Sequence, residues 1–185
     1  MKPLIAVSVF VVALLVGGAV ARAEETARQA NVKRLEALKG LAGEWVEVGK
    51  DGKPTDKVIS SIRVTSAGHT VQETLFPGSD HEMVTMYHLD GDDLVLTHYC
   101  SLGNQPRLRA EPGTDVNKIA FKFVSSTNLK SPDDHHINGL TLSLEGRDHF
   151  KAAPRLFGSK DDGAILSPTS TATPKGAAEG NRRPA

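Results

Sequence analysis

The chain has 185 residues, 39% of them hydrophobic and 24% charged, with 22 basic and 22 acidic side chains. That length suits a single domain with one modest core, and the composition is neither collagen-like nor that of a charge-dominated disordered chain. The balanced charge excludes a basic nucleic-acid footprint and a strongly cationic membrane-binding face, so no nucleic-acid partner is expected.

Lys2 supplies a short positive region, Leu4 to Val16 is an essentially apolar run, and Gly17-Gly18 breaks it. Ala21-Arg22-Ala23 then fits the small-x-small rule for signal peptidase. Residues 1–23 therefore read as a signal peptide cleaved before Glu24, which implies a periplasmic or secreted protein with no integral membrane domain after cleavage. The competing reading is an uncleaved anchor, since apolar character drifts on to Ala21 over about the 18 residues that a spanning helix needs. The glycine pair and the cleavage site favour removal. Over residues 24–41, Ala27, Ala30, Leu35, Leu38 and Leu41 fall near helical spacing, with Gly40 and Gly43 as stop signals, which predicts a short helical arm.

From residue 42 onward the texture changes to short β-type runs separated by turn residues. Strands are expected at 44–48, 57–65, 69–76, 82–89, 94–100, 107–111, 118–125 and 139–145, about eight in all. The expected fold class is therefore all-β, an antiparallel up-and-down meander over residues 42–157. Beyond Gly158 no aromatic residue appears and Pro, Gly, Ser, Thr and Ala dominate, so 158–185 reads as a disordered tail.

Alternation assigns the faces. Val58, Ile62 and Val64 share one, as do Ile119, Phe121 and Phe123, and Leu140, Leu142 and Leu144. A two- or four-residue loop around Asp90-Gly91 puts Met83, Thr85, Tyr87 and Leu89 on the same face as Leu94, Leu96, His98 and Cys100. A three-residue loop would swap the faces. Cys100 is the only cysteine, which rules out an intramolecular disulfide and makes a buried thiol the expected state.

Leu41-Ala42-Gly43-Glu44-Trp45, a G-x-W at the start of the first strand, resembles the opening motif of lipocalin-like (calycin-type) barrels. The run from Met86 through Cys100, continuing to Gly103-Asn104-Gln105-Pro106-Arg107, resembles a group of uncharacterised exported bacterial proteins of that class. The resemblance covers roughly Leu38 to Arg147. It implies a lipocalin-like β-barrel in which Trp45, with Gly43, has a structural role, closing one end against a basic side chain. It implies no catalytic residue. After Leu144 only His149-Phe150-Lys151 and Leu156-Phe157 are available for a closing strand, which leaves closure open.

An eight-stranded barrel can be filled by side chains or hold one small ligand. The hairpin-parity face and the following loop nominate Met83, Tyr87, Leu94, Leu96, His98, Asn104 and Arg107 as ligand-binding residues. Asn104 and Arg107 would orient a polar head group at a barrel mouth. The competing reading makes Gly103 to Arg107 a plain turn, with Arg107 stacked under Trp45. His98 with Cys100, or Asp133-Asp134-His135-His136, has metal-ligand residue types but not the spacing of a complete zinc site. Haem on a single histidine is a further reading, but the glycine-rich opening of haem-binding barrels is missing beyond Gly43-Glu44-Trp45. With no G-x-S-x-G and no partnered nucleophile, no enzyme activity, metal or cofactor is expected. The sequence thus points to an extracytoplasmic domain that binds a small apolar molecule without catalysis. The alternative is a filled interaction or envelope module, and a void on the order of 300 Å³ or more would separate the two. No protein partner can be named.

Overall fold

Where polarity alternates between glycine- and proline-containing turns, the chain forms strands. The computed structural model describes residues 27–113, 115–146, 148–157 and 170–174, so the expected signal peptide and most of the expected carboxyl-terminal tail lie outside the described residues. A helix, α1, occupies 27–39. Ten strands follow: β1 (Gly43–Val48), β2 (Pro54–Thr65), β3 (Thr70–Leu75), β4 (Met83–Asp90), β5 (Asp93–Tyr99), β6 (Gln105–Ala110), β7 (Lys118–Thr127), β8 (His136–Leu144), β9 (Phe150–Phe157) and β10 (Ser170–Pro174). No helix among the described residues is long and apolar enough to cross a membrane.

Each strand pairs antiparallel with the next along the chain. Because β1 pairs with both β2 and β10, the hydrogen-bonded order returns on itself. The count corrects the expectation of about eight strands. β9 was hidden by Lys151, Ala152, Ala153 and Pro154, a poor strand composition. Its proline is tolerated where one edge of the strand carries no ladder: β10 pairs only with Phe150 to Ala152. β10, Ser-Thr-Ala-Thr-Pro, lies inside the stretch expected to be disordered throughout. Its order comes from β1, through Trp45↔Pro174, Val46↔Thr173 and Glu47↔Ala172, and not from any apolar content of its own.

The Asp90 hairpin closes with Asp90↔Asp93 as its last pair, leaving Gly91 and Asp92 as the loop, and Gly91 takes the left-handed conformation at φ +59°. Leu89 therefore faces Leu94, Tyr87 faces Leu96 and Thr85 faces His98, the parity expected from the sequence. On β2 a register shift against β1 turns Ile59 inward as well as Ile62, whereas Val64 is exposed.

The core is one cluster on the enclosed face of the sheet, and α1 closes one end of it. Leu35, Leu38 and Leu41 pack down onto the sheet residues, and the polar edge of the helix is fastened to two turns. Asn31 donates to the Asp92 carbonyl at 2.9 Å, while the buried Arg34 guanidinium donates to the Glu111 and Asp115 carbonyls, each at 3.1 Å. Burial lowers the Arg34 pKa and the nearby Asp115 charge raises it, burial being the larger effect.

Gly43 sits at φ +144°, open to glycine and strained for other residues, with free space where a Cβ would be. It lets the chain turn from α1 into β1. Two residues on, Trp45 is buried, donates Nε1–H to the Leu41 carbonyl at 2.7 Å, and meets Phe150 edge to face at 4.8 Å between centroids. The ring that Trp45 meets is thus aromatic, and among the described residues no cation–π contact to it is found, unlike the basic partner implied by the resemblance. Replacing Trp45 with Ala should destabilise the fold by about 3–5 kcal/mol. In a double-mutant cycle with Phe150→Ala, the coupling should be about 0.5–1.5 kcal/mol, read from urea midpoints. Additive losses would show that the two rings do not act together.

Candidate functional site

At the end of the strands away from α1, side chains leave a cavity of about 120 Å³. Its two walls differ in chemistry. On one side, β2 to β5 present Ser60, Glu73, Thr85, Tyr87 and His98 among the apolar Ile59, Leu75 and Leu96; on the other, β8 and β9 present only Ile137, Leu140, Leu142, Phe150, Ala152 and Pro154. Phe76 and Met83 lie where β3 ends and β4 begins.

The polar wall is a product of register. Glu73 pairs with Thr85 and Thr85 with His98, so three inward-facing polar side chains lie side by side on β3, β4 and β5. Glu73 is buried at 5% exposure, and both of its oxygens are engaged. Ser60 Oγ donates to Oε1 at 2.8 Å and Tyr87 Oη donates to Oε2 at 2.7 Å. Burial pushes the Glu73 carboxyl above its ordinary range, and the two hydroxyl donors pull it partway back. The same burial, with the neighbouring carboxyl, pushes the Tyr87 phenol well above its usual range.

His98, 2% exposed, shares a 2.9 Å hydrogen bond between Nδ1 and the Thr85 hydroxyl, and its Nε2 is buried without a partner among the described residues. Burial lowers its pKa to about 4, so the imidazole is neutral near pH 7.

Of the residues nominated from sequence, Met83, Tyr87, Leu96 and His98 line the cavity. Leu94 is fully buried but belongs to the packed core. Asn104 is buried outside the cavity, its Nδ2 donating to the His135 carbonyl at 2.9 Å. Arg107 is removed from it altogether, because it alternates with the buried Pro106 and Leu108 and pairs with Asp90. That pairing also takes it away from Trp45. Gly103, at φ +86°, turns the chain there as a simple loop residue. Cys100 lies just past β5, half-buried and outside the cavity lining, which corrects the expectation of a fully buried thiol.

Sequence reading passed over Ser60, Glu73 and the whole β8–β9 wall. Glu73 did carry a signal: it alternates with Val71 and Leu75, an acid on the apolar face of a strand. Among the described residues, no group of three or more His, Cys, Asp or Glu side chains could hold a metal ion. No protein-family model and no curated protein sequence matches this chain.

Because His98 carries a lowered pKa, its stabilising neutral form is fully present above the ordinary histidine pKa of about 6.5 and is lost as pH falls toward about 4. Histidine-selective NMR should therefore place its titration midpoint near 4, with stability declining on acidification through this window. Glu73 has the opposite sign: its raised pKa makes stability decline as pH rises from the ordinary carboxyl range through the folded-state value. Glu73→Gln should flatten that alkaline side of the stability profile. A His98 midpoint at 6 or above would contradict the buried, uncharged environment.

Proposed function

We propose that the closed ten-stranded sheet is a lipocalin-like barrel of an exported protein, and that it binds a small, mainly apolar molecule without catalysis. The observation that carries this reading is the cavity itself: one apolar wall, one wall that carries five polar side chains, and a buried imidazole nitrogen with no partner among the described residues. Supporting the barrel are its consecutive antiparallel hairpins, the glycine-dependent G-x-W start and the buried tryptophan at the helix-closed end. Export rests on the amino-terminal pattern of Lys2, the apolar run and Ala21-Arg22-Ala23.

Volume limits the guest. About 120 Å³ is well below the ~300 Å³ at which metabolite-sized pockets begin, and slightly below the ~150 Å³ of an engineered apolar cavity that holds benzene. The ligand is therefore a single-ring or short-chain molecule. The same figure falls short of the void expected from the sequence to mark a ligand carrier, and to that extent supports the second reading, a non-catalytic interaction or envelope module whose interior is nearly filled.

Toluene at a concentration one hundred times its dissociation constant should stabilise the protein by about 2.7 kcal/mol, read as a raised thermal midpoint. Ala152→Phe, which places a ring in the cavity, should abolish that gain while leaving the folded near-ultraviolet spectrum intact. Absence of any effect of toluene, or the same effect in Ala152→Phe, would leave the filled module as the account.

A further inference from the structure

One residue lining the cavity, His98, carries a hydrogen-bonding atom with no partner among the described residues, and its chemistry is determined by its neighbours. Glu73 is already engaged at both oxygens by Ser60 and Tyr87, and the Tyr87 hydroxyl is spent on Glu73. Among the described residues, the buried Thr85 hydroxyl has His98 Nδ1 as its one side-chain partner. If Nδ1 carried the imidazole proton, the Thr85 proton would have no acceptor and the Nε2 lone pair no donor. If Thr85 donates to an unprotonated Nδ1, the unmet groups are the Nε2–H donor and the spare lone pairs of a hydroxyl oxygen that already makes a hydrogen bond. The second arrangement has the lower cost. Nε2 is the one buried side-chain N or O atom without a partner among the residues lining the cavity.

Charge narrows the ligand further. Among the described residues no lysine or arginine lines the cavity, and the imidazole is neutral, so an anionic guest would leave water without a counter-charge. The wall opposite His98 is built from Ile137, Leu140, Leu142, Phe150, Ala152 and Pro154 and has no side-chain polar atom. We propose that the cavity selects compact, uncharged molecules with one acceptor oxygen, of the size of a six-membered cyclic ketone, and that His98 Nε2–H donates the hydrogen bond that selects them. This rests on the reading of the cavity as a binding site.

The test compares cyclohexanone with methylenecyclohexane, which has the same shape without the acceptor, and with cyclohexanecarboxylate, each titrated against the full chain at pH 7 and followed by NMR. Cyclohexanone should bind roughly tenfold more tightly than methylenecyclohexane, the carboxylate should not bind, and Nε2 should show the nitrogen shift of a protonated imidazole nitrogen. In His98→Phe the preference for the ketone should vanish while methylenecyclohexane still binds. Equal affinities in the wild type, tightest binding of the carboxylate, or an unprotonated Nε2 would overturn the selectivity and leave the binding reading standing. Failure of all three molecules to bind would overturn both. The wild-type comparison decides even if His98→Phe does not fold.

Discussion

A carboxyl group inside a small protein must be met by donors or driven to keep its proton, and Glu73 imposes that demand on three strands at once. Transferring such a group from water without partners costs several kcal/mol. Ser60 on β2 and Tyr87 on β4 reach it from either side of β3, each within normal hydrogen-bonding distance. A one-residue slip of any of these strands would move one member of the trio to the outer face. The same register places Thr85 and His98 beside Glu73, so the constraint that secures the sheet also builds the polar wall of the cavity.

The two ends of the enclosed space are treated differently by the sequence. At one, α1 contributes Leu35 and Leu38, the turn after it contributes Leu41, Arg34 binds two backbone carbonyls, and Trp45 meets Phe150. Large side chains and satisfied polar groups leave little room there. At the other, β9 presents Ala152 and Pro154 where bulkier residues would fill the interior, and a void remains against the polar wall. Phe150 belongs to both regions, since it supports Trp45 and also lines the cavity. Closure and hollowness therefore depend on the same strand.

That strand was the hardest part to read. β1 to β8 were legible because their apolar residues alternate between clear turn signals, and the Asp90 hairpin carried its parity onto Met83, Tyr87, Leu96 and His98. β9 and β10 have compositions that favour neither strand nor core, and their order is imposed by neighbours remote in sequence, which local pattern does not report. Arg107 and Asn104 illustrate a different failure. Their residue types suit a ligand mouth, but strand alternation directs Arg107 outward to Asp90, and Asn104 is taken up by the His135 carbonyl. Residue type suggests what a group could bind; only pairing decides what it faces.

A binding role requires that the interior between the β2–β5 wall and the β8–β9 wall be hollow and accessible to a small guest. Xenon titration of the protein, followed through the methyl resonances of its Leu, Ile and Val residues, tests this most directly. The account predicts saturable shifts confined to the methyls of Ile59, Leu75, Leu96, Ile137, Leu140 and Leu142, with those of Leu35 and Leu94 unmoved. Shifts that do not saturate, or that spread evenly over exposed methyls such as Val64 and Val124, would contradict it.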